Sequence, residues 1–70
     1  MEDWQQRVLD ERRELDERLV KLLSFLVNKS FGVSKADVDL LCDQRDIMIE
    51  YRDVLDARIA RFLPPVAPAA

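Results

Sequence analysis

The sequence predicts an all-α antiparallel two-helix hairpin, coiled-coil-like, assembling into a dimer or larger oligomer. Three observations carry this reading. Gly32 is the only glycine, and all prolines lie beyond Leu63, so nothing breaks a helix on either side of one central loop. Apolar residues recur at helical spacing before and after that loop. Between Leu40 and Phe62 they form two rows at a seven-residue period, wider than one partner helix covers.

The first helix is predicted from about Asp3 to Val27, about 37 Å at 1.5 Å per residue, with Asp3 as its cap. Its stripe is Val8, Leu15, Leu19, Leu22 and Leu26, widened towards the loop by Val20, Leu23 and Phe25 and earlier by Leu9. Between Val8 and Leu15 the stripe is filled by Glu11 and Arg12, so the core is expected to be densest near the loop. Acid-first pairs at i,i+4 (Asp3–Arg7, Glu14–Arg18 and Glu17–Lys21) are each expected to add about 0.2–0.5 kcal/mol.

Residues 28–33 are the predicted loop, where Gly32 can take positive φ. Ser34-Lys35-Ala36-Asp37 reads as a helix start, with Val33 and Val38 as a hydrophobic staple. The second helix then runs from about 34 to 63 and stops at Pro64 and Pro65. The domain reading is therefore a hairpin over residues 1–63 and an extended Pro/Ala-rich tail over 64–70.

A 70-residue chain buries too little surface to be comfortably stable alone. Cys42 is the single cysteine and there is no histidine, which excludes an internal disulfide and a Cys/His zinc site. Oligomerisation is the remaining support. The expected interface is on the second helix, at Leu40, Ile47, Met48, Val54 and Leu55.

Eleven basic residues against fourteen acidic ones, net −3, are interleaved along the chain rather than blocked. This argues against a DNA-binding face. No uncharged run approaches the ~20 apolar residues of a membrane span, and the polar start MEDWQQR is unlike a signal peptide. A soluble cytoplasmic protein is expected, with Cys42 reduced.

No catalytic constellation, metal-binding set or phosphate loop is legible, so neither an enzyme nor a cofactor is expected. Asp39, Asp43 and Asp46 share a face, and a solvated acidic surface is the preferred reading over a cation site. Arg45 and Arg52 lie seven residues apart on the row of Val38 and Ile59. Their stems can cover the core while the guanidiniums reach carboxylates across the hairpin. Alternatively Arg45, Arg52 and Tyr51 line a groove between protomers that holds an anionic nucleotide, joined by Arg12. Arg12 can also pair with a carboxylate on the second helix. Trp4 is expected to pack near Phe62, and Cys42 to sit as a small buried hydrophobe. Phe31 at the loop either plugs the core or projects as a partner contact.

Arg7, Val8, Glu11, Glu14, Leu15, Asp16, Lys21, Leu22 and Phe25, followed by Leu41, Gln44, Met48, Tyr51, Leu55, Arg58, Ile59 and Phe62, form a pattern that resembles small tailed-bacteriophage proteins, the crAss-phage-related hypothetical proteins. The resemblance spans residues 7–62. It implies a phage or prophage accessory protein in the host bacterial cytoplasm. The leading expectation is a protein that binds and inhibits a host bacterial protein, in host takeover or anti-defence. The alternatives are an oligomeric sponge for an anionic nucleotide immune signal, of cyclic or ADP-ribose type, and a structural coiled-coil scaffold.

Overall fold

A computed structural model describes residues 1–63. It contains α1 (Asp3–Asn28), a single 3-10 turn (Ser30–Gly32) and α2 (Lys35–Ala60), and the two helices pack antiparallel as a hairpin. The expected Pro/Ala tail and its proline stop lie outside the described residues.

The start of α1 is capped one residue earlier than expected. Glu2, not Asp3, is the capping residue, and its backbone N–H donates to Gln5 Oε1 at 2.8 Å. Asp3 instead sits in the first turn, where its charge faces the positive end of the helix dipole. The acid-first pairs expected along α1 do not form. Charges there pair instead as Arg12–Asp16 at 3.4 Å and Arg13–Asp10 at 3.4 Å, and Arg12 and Asp16 also pair across to the partner helix.

The loop is closed by short-range hydrogen bonds. Lys29 N–H donates to the Phe25 carbonyl at 2.8 Å, and Ser30 Oγ to the Leu26 carbonyl at 2.9 Å. Ser34 caps α2, accepting from Asp37 N–H at 3.2 Å. The left-handed conformation expected of Gly32 is absent, because the 3-10 turn reverses the chain with ordinary backbone angles. A methyl group built on Gly32 meets nothing within 4 Å. Gly32→Ala is therefore expected to stabilise the hairpin by about 0.4–1 kcal/mol, through loss of freedom in the unfolded chain. Chemical denaturation followed by circular dichroism checks the sign, and a destabilised variant contradicts the account.

At the other end α2 stops at Ala60, short of the expected Leu63. The chain tightens there: Arg61 N–H reaches the Arg58 carbonyl at 3.2 Å and Phe62 N–H the Ile59 carbonyl at 3.1 Å. Such i→i−3 bonds satisfy the final carbonyls as a helix ends.

Val8, Leu15, Leu19 and Leu55 are buried, Leu19 and Leu55 fully so, and Met48, Ile59 and Phe62 pack against the Val8–Leu15–Leu55 cluster. The core is thus densest in the middle and at the open end of the hairpin, not near the loop as expected. Leu22, Leu26, Val38 and Leu41 near the loop are only half-buried. There the apolar residues are spread around each helix, and two cylinders touching along one line cannot cover all of them. At the open end Trp4 closes the structure edge-to-face on Phe62, with centroids 5.4 Å apart and rings at 77°. Among the described residues no helix is long and apolar enough to cross a membrane.

Candidate functional site

The hairpin has two flanks, defined by the contacts between its helices. On one, Arg12 Nε donates to Asp56 Oδ1 at 2.9 Å, and Arg52 Nη1 to Asp16 Oδ1 at 3.0 Å. Asp16 also lies 3.4 Å from Arg12, so two arginines and two aspartates form one continuous ladder. The Asp56 hydrogen bond is the main reason the Arg12 pKa rises further. On the other flank the Tyr51 hydroxyl donates to Glu11. Glu11 and Asp16 are about 140° apart around α1, at ~100° per residue, so these contacts lie on opposite sides. The Glu11 hydrogen bond, with a smaller effect of burial, raises the Tyr51 pKa, and nearby Arg58 opposes it.

The residues expected to act together are therefore divided. Arg12, Arg45 and Arg52 belong to one flank and Tyr51 to the other, so a single hairpin does not gather the four. Arg12 and Arg52 each reach a carboxylate across the hairpin, as one of the two expectations for them had it. Arg45 does not. Among the described residues its one ion-pair partner is its neighbour Asp46, at 3.0 Å, and that hydrogen bond raises its pKa. The register set by the Arg12–Asp56 and Arg52–Asp16 pairs places Arg45 opposite Leu19–Leu23, a stretch without an acidic residue. Half-buried Cys42 and Ile49 flank it on α2.

The expected interface residues divide in the same way. Leu55 is buried and Met48 packs on the core, because their row closes the hairpin. Leu40, Ile47 and Val54 remain 66%, 65% and 56% exposed. Phe31 does not plug the core; at 92% exposed it projects from the loop. Cys42 is half-buried and free rather than enclosed. Arg58 was not singled out as a site residue by sequence reasoning. Its position two turns from Tyr51 on the exposed row was the available signal. A shallow depression of about 430 Å³, lined by Val20, Lys21, Ser24, Phe25 and Lys29, lies along the loop end of α1.

These features define a class, the small antiparallel helical hairpin with charged inter-helix flanks and uncovered apolar rows. Within it, the family model described as Sequestin matches residues 2–61, and the chain belongs to the Sequestin family. The match covers both helices and the loop between them. No curated protein and no solved structure matches the chain.

Proposed function

We propose that this protein acts by stoichiometric sequestration, and that the species it holds is a small anion of the nucleotide class. The family's name supports sequestration as the mode of action. The observation that carries the choice of ligand is Arg45. It is the seam arginine without a carboxylate across the hairpin, and it lies at the edge of half-buried apolar surface. A guanidinium offers paired donors to a phosphate, and the adjoining apolar surface offers cover for a base. Arg52 follows about 10.5 Å further along the helix, at 1.5 Å per residue. Its bond to Asp16 is partly exposed, and an exposed ion pair of this kind is inexpensive to exchange. The resemblance to small phage proteins supports, as part of this proposal, an immune signal of cyclic or ADP-ribose type as the ligand, since such a signal has this chemistry.

The test is thermal stability and calorimetry with cyclic dinucleotides, cyclic mononucleotides and ADP-ribose, against inorganic phosphate. At least one nucleotide should raise the melting temperature and be recovered chemically unchanged after heat denaturation. Loss of charge-assisted hydrogen bonds in Arg45→Ala should weaken that binding by about 10- to 100-fold. A flat response to every nucleotide would sink the proposal.

A second reading, inhibition of a host bacterial protein, is favoured by Phe31. Single exposed apolar residues are ordinary on protein surfaces, so this observation weighs less. It gains the upper hand if capture from a bacterial lysate recovers one protein and Phe31→Ala abolishes that capture.

A further inference from the structure

We infer that the exposed row of α2 is covered by the same row of a second copy, running antiparallel about a two-fold axis near Ile47 and Tyr51. Leu40, Ile47, Tyr51 and Val54 are all exposed. With Gln44 and Arg58 they alternate at steps of four and three, which is the seam of a coiled coil. This seam lies beside the row that closes the hairpin, so it is free while Leu55 and Met48 are occupied. Among the described residues only Val8, Leu15, Leu19 and Leu55 are buried in one copy, a small core for a hairpin of this length. A contiguous apolar strip of this kind marks an association surface.

Charge selects the occupant and its direction. The N-terminal part of the seam is bordered by Asp43, its middle by Glu50, and its C-terminal part ends in Arg58 and Arg61. Among the described residues none of these four makes an ion pair within the hairpin. A parallel pairing would set Arg58 against Arg58 and Arg61 against Arg61. An antiparallel pairing lays Ile47 of one copy on Tyr51 of the other, and brings Arg58 over Leu40 and beside Asp43 of the second copy. The row thus complements itself in shape and in charge when one copy is reversed. The inference does not depend on the nucleotide proposal, because Arg45 lies on the other flank and stays accessible in such a dimer.

The experiment is sedimentation equilibrium on the full chain, with circular dichroism to confirm that each variant is folded. The wild type should be a dimer. Arg58→Asp alone should weaken association by roughly 10-fold or more, since it places like charges together beside an apolar seam. Asp43→Arg alone should do the same. The double variant D43R/R58D should return to within about 3-fold of wild type, as coupled charge pairs do. The two orientations differ in sign: in a parallel dimer Arg58→Asp relieves or leaves unchanged the repulsion and does not weaken association. A monomeric wild type at several hundred micromolar, unweakened association of R58D, or failure of the double variant to recover would each overturn the inference.

Discussion

Leu55→Ala is expected to remove most of the stability of the hairpin. Leu55 is 0% exposed and is the one residue of α2 that is fully buried. It contacts the cluster formed by Val8 and Leu15 of α1. Truncating a buried leucine removes its transfer free energy and leaves a cavity, together costing about 2–5 kcal/mol. A single core in a chain this small rarely supplies more than about 3–5 kcal/mol in total. The variant should therefore lose its cooperative urea transition, or show it shifted to very low denaturant. Val27→Ala is the matched control, because Val27 is 76% exposed and should change stability by no more than ~0.5 kcal/mol. If Leu55→Ala cost less than about 1 kcal/mol, the packing of the two helices described above would be wrong.

Phe62→Ala is expected to open the far end of the hairpin and cost about 2–3 kcal/mol, below the range for a fully enclosed aromatic because Phe62 is half-buried. Two effects combine. Phe62 packs on the Val8–Leu15–Leu55 cluster, and its ring meets Trp4 edge-to-face at 5.4 Å. The ring pair itself contributes about 0.5–1.5 kcal/mol beyond its area. Trp4 is the only tryptophan, so its fluorescence reports this contact directly. In the variant, the emission should shift to the red before the helices unfold. A double-mutant cycle with Trp4→Ala separates the ring contact from the rest. A coupling near zero would mean that the two rings are neighbours without interacting.

Much of the hairpin is legible in the sequence, and the reasons are local. The Ser34 cap requires only a hydroxyl followed by a free backbone N–H at Asp37, and it appears as expected. The single break around Gly32 separates two long apolar periodicities, and the helices occupy nearly the predicted spans. Trp4 and Phe62 meet because antiparallel helices of equal length bring the chain ends together. The positive φ expected of Gly32 fails for an equally local reason: a 3-10 turn completes the reversal without it.

The candidate site is less legible. Arg45 and Arg52 look equivalent by type and spacing, and Arg12 on the other helix is alike in type. What separates them is the carboxylate opposite each one, and that depends on the register between helices. Arg12 meets Asp56 and Arg52 meets Asp16, whereas Arg45 faces Leu19–Leu23. Tyr51 adjoins Arg52 in sequence but turns to Glu11 on the other flank, because neighbouring helical residues point about 100° apart.

The sequence by itself determined the two helices, the loop between them and the presence of more apolar rows than one hairpin can close. Those are properties of residue periodicity and of breakers, and they hold whatever the helices pack against. Only the tertiary structure decided which row closes and which stays open. Periodicity shows that Leu40, Ile47 and Val54 run beside Leu41, Met48 and Leu55, but not which row turns inward. The rotation of α2 about its own axis settles it, by burying Leu55 against Val8 and Leu15 and leaving Ile47 uncovered. Side chains far apart in the chain then meet in that rotation, Arg12 with Asp56, Asp16 with Arg52 and Glu11 with Tyr51, which no local pattern can pair.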